Sequence, residues 1–148
     1  MSTKDELKDV RRVALALLAR RDHSETEMCR KLQKKGFADD AIRHVLDEFI
    51  REKWLNNARF IEHYVAHRRG KGFGPLRIRG ELLERGLSKE LIDPCLKITD
   101  NAWLADVSEV FRKRFKNRMP HDLKTRAAQM RFLYSRGFTS EQIESVFT

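Results

Sequence analysis

Leu82-Leu83-Glu84-Arg85-Gly86-Leu87 is one of three copies of a short pattern. The others are Leu32-Gln33-Lys34-Lys35-Gly36-Phe37 and Leu133-Tyr134-Ser135-Arg136-Gly137-Phe138. Their glycines, Gly36, Gly86 and Gly137, are 50 and 51 residues apart. Each follows a leucine by four positions and a base by one, and precedes a large apolar residue. Ile42, Ile92 and Ile143 come six residues later, with Val45/Leu46, Cys95/Leu96 and Val146/Phe147 at nine and ten. Seven matched positions in three copies mark a tandem repeat. Such a chain presents a long surface rather than one deep site.

Working outward from the repeats, the periodicity is helical nearly everywhere, with no clear alternating strand. Val10, Val13, Ala14, Leu17 and Leu18 make one apolar face, spaced by threes and fours. Ser24 to Glu27 form a capping-box pattern for the next helix, and Gly36 suits the left-handed residue that ends it. A third helix is expected from about Asp39 to Lys53. The second copy starts near Asn57, with Pro75 in the first turn of a helix that Gly86 ends and Ser88 capping the next. Pro94 implies a kink or a fresh start in the sixth helix. The third copy starts near Ala102, and Thr139 with Gln142 forms another capping box. The expected fold is all-α: an elongated tandem array of three three-helix, helix-turn-helix-like repeats, over residues 1–56, 57–101 and 102–148. Gly36, Gly86, Gly137 and Pro75 are its structural repeat positions.

The 148 residues carry a formal charge of +9, with net +1 in residues 1–50 and +4 in each of 51–100 and 101–148. Such a field favours nucleic acid or an acidic protein partner. No apolar run approaches the ~20 residues of a membrane span. The polar N-terminus is not a signal peptide. Cys29 and Cys95 have no paired spacing. Cys95 takes the place of Val45 and Val146 and is expected as a small buried apolar residue. These features point to a reducing cytoplasm.

Two segments concentrate the charge. Arg68-Arg69-Gly70-Lys71-Gly72-Phe73-Gly74-Pro75-Leu76-Arg77-Ile78-Arg79 holds five bases and no acid. Its glycines and the following helix start could expose backbone N–H groups to a phosphate or a carboxylate. Arg77 and Arg79, two apart on a helix, point to different sides. Arg112-Lys113-Arg114-Phe115-Lys116-Asn117-Arg118 holds five bases in seven residues, and Arg126 and Arg131 continue the charge. In repeat alignment the two segments coincide, so the basic joints are expected along one edge, as tracking a polyanion or a filament requires. Phe73 and Phe115 are candidate stacking residues, whereas Trp54 and Trp103 are expected in core or junction packing. His63 and His67 are four apart but lack a third ligand, so no metal site is expected. No nucleophile–base pair and no carboxylate cluster suggests an enzyme.

Leu55-Asn56-Asn57-Ala58-Arg59-Phe60, then Arg68 or Arg69, then Gly72 to Leu87 resembles the signature of the RecX family of bacterial recombination regulators. The resemblance spans essentially the whole chain. The family usually carries acidic residues near Asn56 and Asn57, which are neutral here. The resemblance implies a negative regulator of the RecA recombinase. Such a protein binds the RecA filament on single-stranded DNA and inhibits its ATPase, strand exchange and co-protease activities, thereby modulating homologous recombination, DNA repair and the SOS response. It implies no catalysis and no cofactor, with RecA and single-stranded DNA as partners, nonspecific contact with double-stranded DNA, and a monomer. Arg68, Arg69, Lys71, Arg77, Arg79, Arg112, Lys113, Arg114, Lys116, Arg118, Arg126 and Arg131 are the residues expected to meet the filament or its DNA. The competing reading is a sequence-nonspecific or helix-turn-helix DNA-binding protein that acts without RecA.

Overall fold

The computed structural model describes residues 3–148. Nine α-helices and no strand lie among them, in three groups of three. The first unit has α1 (Lys4–Arg20), α2 (Glu25–Lys34) and α3 (Asp39–Arg51). The second has α4 (Asn57–Gly70), α5 (Pro75–Glu84) and α6 (Lys89–Leu96). The third has α7 (Ala102–Phe115), α8 (Leu123–Ser135) and α9 (Ser140–Glu144).

The repeat positions do what their chemistry dictates. Leu32, Leu82 and Leu133 are fully buried, as are Ile92 and Ile143, with Ile42 1% exposed. Gly86 ends α5 with φ +86, where a side chain would be strained. The turn is closed by the Leu87 N–H donating to the Leu82 carbonyl at 3.2 Å. Gly36 and Gly137 also have positive φ.

Several local expectations need correction. α3 ends at Arg51, because Lys53 is left-handed at φ 61. Ser24 accepts from the Glu27 N–H, but the Glu27 carboxylate leaves the capping box to pair with Arg21 at 2.7 Å. Ser88 stands at the start of α6 without a side-chain cap bond. Thr139 and Gln142 do form both halves of a capping box. α6 does not restart at Pro94. Pro94 leaves the Glu90 carbonyl without its intrahelical donor, and with only Cys95 and Leu96 beyond it the helix ends soon after.

Two cores hold the chain. One belongs to the first unit alone, built from Val10, Ala14, Met28, Leu32, Ile42, Leu46 and Phe49 among others. The other runs unbroken through the second and third units, joining Phe60, Ile61, Ile78 and Leu82 to Trp103, Val107, Phe111, Leu133 and Phe138. Cys95 packs half-buried against that second core.

The units connect by one recurring device: the start of the second helix of a unit lies on the glycine turn of the next. Thr26 donates its hydroxyl to the Gly86 carbonyl at 3.4 Å. One unit further along, the Gly74 N–H donates to the Arg136 carbonyl at 2.7 Å and the Leu76 N–H to the Gly137 carbonyl at 2.8 Å. A Cβ on Gly74 would lie 2.5 Å from the Gly137 carbonyl carbon, so only glycine permits the approach. A Cβ on Gly36, in the first unit, would meet nothing within 4 Å.

Candidate functional site

The basic segments meet at the joint between the second and third units. There α4, the loop 71–74, α7 and the end of α8 surround a cleft of about 550 Å³. Arg69, Lys71, Lys113, Arg114 and Arg136 line it, with Asp106 and Glu109, over Ala105, Val110 and Phe132. A second cleft of about 520 Å³ lies between the first and second units. Its lining includes Arg30, Lys31, Lys34, Arg68 and Arg85 with Glu27, Glu81 and Glu84.

The glycine-rich loop is not an anion cradle. Its amides are already used: Lys71 donates to His67, Gly72 to Arg69 and Phe73 to Arg68, while Gly74 and Leu76 reach across to the third unit. The dipole end of α5 is therefore satisfied by the backbone carbonyls of another unit, which leaves no open donor set for a phosphate.

The predicted cations divide into two groups. The first is bound to carboxylates within the chain. Arg68 pairs with Glu81 at 2.7 Å and lies 3.9 Å above the Phe73 ring. Arg69 pairs with Asp106 at 2.7 Å and covers the Trp103 ring at 4.3 Å. Arg77 reaches Glu81 at 3.4 Å and the Ser135 carbonyl at 3.2 Å. Arg79 turns the other way, to Asp93 at 2.8 Å. Arg112 donates to Glu109 at 2.9 Å, and Arg126 to Glu144 at 3.2 Å. Lys113 lies 3.9 Å from Glu109. Burial pushes the Glu81 carboxyl up, but bonds from Arg68 and the Tyr64 hydroxyl outweigh it and hold it below the usual carboxylate range. Its charge is thus secured at neutral pH.

The second group is unpaired. Among the described residues, the side chains of Lys71, Lys116, Arg118 and Arg131 have no hydrogen-bond or ion-pair partner. Arg114 touches only rings, Phe132 at 5.2 Å and Phe115 at 5.9 Å. Arg136, which sequence reasoning left out of the site, stacks on Phe132 at 5.2 Å and Phe73 at 5.0 Å. It was legible as the base before each repeat glycine. Its counterpart Arg85 lines the other cleft, 5.0 Å from the Tyr64 ring and 3.6 Å from Glu27.

The two candidate stacking phenylalanines are occupied. Three guanidiniums, from Arg68, Arg77 and Arg136, surround the Phe73 ring. Phe115 packs on Phe111 and Phe132. Trp103 is buried, donating its indole N–H to the Leu96 and Lys97 carbonyls at 3.1 and 3.0 Å. Trp54 is 45% exposed and meets Phe49 only edge-on, so it does not serve as core. His63 is turned to Asp22 at 2.6 Å. Among the described residues, no three His, Cys, Asp or Glu side chains converge as metal ligands, and no helix is long and apolar enough to cross a membrane.

Three consecutive family profiles match the chain: the first, second and third three-helix domains of RecX, over residues 11–49, 56–96 and 105–147. The chain is 42% identical over 134 residues to "Regulatory protein RecX" of Pseudomonas entomophila, covering 90% of this chain and 86% of that one. It is 40% identical over 144 residues to the protein of the same name from Pseudomonas fluorescens, covering 97% and 93%. The crystal structure of RecX from Lactobacillus salivarius superposes with a TM-score of 0.84 at 17% identity, covering 97% of this chain and 96% of that one. That likeness shows the shared fold. Another crystal structure, of regulatory protein RecX, gives 0.79 at 19% identity over 96% of this chain and 73% of that one. Matched in all three of its units and similar over nearly its whole length to proteins of that name, the chain belongs to the RecX family.

Proposed function

We propose that this protein is a negative regulator of the RecA recombinase. It binds the RecA filament on single-stranded DNA as a monomer in the cytoplasm. Bound there, it inhibits the filament's ATPase, strand exchange and co-protease activities, modulating homologous recombination, repair and the SOS response. It performs no chemistry of its own. Family membership supports the target, and the cation arrangement supports the mode. The observation that carries the reading is the succession of units with a basic cleft at each of the two joints. A repeating ligand engages successive sites at once, and each contact raises the effective concentration for the next. A bound array bridging neighbouring subunits opposes both subunit addition and the motions of ATP turnover.

Within the site, the ion-paired arginines Arg68, Arg69, Arg79, Arg112 and Arg126 shape the surface, and the unpaired Lys71, Arg114, Lys116, Arg118 and Arg131 face the partner. Cosedimentation tests the target. The protein should pellet with preassembled RecA filaments on single-stranded DNA at physiological salt, and much less with the same DNA alone. Equal pelleting with bare DNA would favour the plain DNA-binding reading, and pelleting with neither would overturn both.

A further inference from the structure

Arg114 and Arg136 are held differently from the other ring-stacked arginines. Arg68, Arg69, Arg77, Arg85 and Arg126 each lie over an aromatic ring and also meet a carboxylate. Arg114 and Arg136 lie over rings and meet no carboxylate. Both guanidinium carbons are 5.2 Å from the centroid of the same Phe132 ring, so they are within twice that distance of each other. A guanidinium held over a ring without a carboxylate partner keeps its N–H donors available to another anion. Two like charges held on one ring repel, and an anion between them relieves that repulsion. Asp106 and Glu109, the carboxylates of the cleft, are already engaged by Arg69 and Arg112.

The geometry points to a phosphate-binding cleft for single-stranded nucleic acid at the joint of the second and third units, with Arg114 and Arg136 as its central pair. This inference rests on the filament reading above and assigns the DNA-facing part of that site. Guanidinium N–H donors suit the non-bridging oxygens of a phosphodiester. Lys71 and Lys113 add positive charge on the rim of the cleft. Just past the end of α7, where Phe115 packs on Phe132 at 5.5 Å, the chain carries two further unpaired cations, Lys116 and Arg118. Several unpaired cations at and beside one cleft match a polyanion rather than a single carboxylate. Phe132 serves as the post that spaces the arginines, and not as a base platform.

The test is binding of fluorescein-labelled oligothymidine to the protein without RecA, by anisotropy across a range of salt. Arg114→Ala with Arg136→Ala should weaken binding and reduce the slope of log affinity against log salt by about 1.4, from about 0.7 per phosphate contact on single strands. A control removing the same charge from α1, Lys8→Ala with Arg12→Ala, should change the slope by less than half as much. Arg114→Lys with Arg136→Lys should restore most of the slope, which separates charge from packing, with circular dichroism reporting helicity. Equal effects of the cleft and control pairs, or no measurable binding by the wild-type protein at low salt, would overturn the assignment. So would unchanged DNA binding by the Arg114→Ala, Arg136→Ala variant, which would leave the cleft to a protein partner. Because the assay lacks RecA, its failure leaves the regulatory reading standing, and failure of that reading leaves this result unchanged.

Discussion

The two joints of the array use the same contact and hold it by different forces. Between the second and third units, the glycine turn is embedded in a shared apolar core, with Trp103 buried at the interface and Arg69 spanning α4 to α7. Between the first and second units, no apolar core is shared, and polar groups make the connection. Asn57 accepts from the Glu25 N–H and donates to the Glu25 carboxylate, both at 2.9 Å. His63 meets Asp22, and Arg85 meets Glu27. Apolar burial is insensitive to salt, whereas exposed ion pairs are weak and screened. The second and third units are therefore joined by shared apolar burial, and the first is joined to them by contacts that salt weakens more easily.

The largest effect should come from removing the apolar anchor. Trp103→Ala should destabilise the second and third units by about 3–5 kcal/mol, read as a lower urea midpoint. Trp54→Ala, at the exposed counterpart, should stay within about 0.5 kcal/mol. Equal losses would erase the distinction between the joints. Next is Gly74→Ala, which forces a methyl into the Gly137 backbone and should cost about 1–3 kcal/mol. Hydrogen exchange should then quicken at Leu76 and α8 while the α1–α3 core stays protected.

At the polar joint, Asn57→Ala should cost about 1–2 kcal/mol by leaving the Glu25 N–H at the start of α2 unpaired and removing one of the carboxylate's two partners. The loss should appear as protease sensitivity at residues 52–57 rather than as a lower midpoint for the shared core. Asn57→Asp should be no better, because it sets one carboxylate against another.

The smallest effect is a pH dependence confined to the first unit. His23 is buried, donating from Nδ1 to the Arg21 carbonyl while Nε2 accepts from Lys31 at 2.9 Å. Burial lowers its pKa below the ordinary 6.5. On acidification the unfolded chain takes up this proton first, so stability present above pH 6.5 declines as pH falls toward the folded-state value. Between about pH 7 and pH 5 the first unit should lose stability, and His23→Asn should remove much of that slope. A dependence shared by all three units would contradict this.

How much of this was readable beforehand follows from the range of each interaction. The helices, the glycine turns and the buried leucines and isoleucines come from spacings of three to six residues, which a sequence displays directly. The anion cradle was misjudged because the carbonyls that fill it, on Arg136 and Gly137, lie some sixty residues from Gly74. The basic runs overstated the free charge for the same reason. Glu81 and Asp106, which hold Arg68 and Arg69, are 13 and 37 residues away. Arg136 lies outside the basic runs and joins the site only because the end of α8 packs against the loop that carries Phe73. Nothing in the pattern of the joints distinguished the polar from the apolar one.

The most direct test of the central claim is the DNA-dependent ATP hydrolysis of RecA on single-stranded DNA, with this protein titrated far below the RecA concentration. Strong inhibition at a small fraction of RecA is expected, through sites on the filament. Inhibition only when the protein is abundant enough to coat the DNA would contradict it and leave simple competition for DNA.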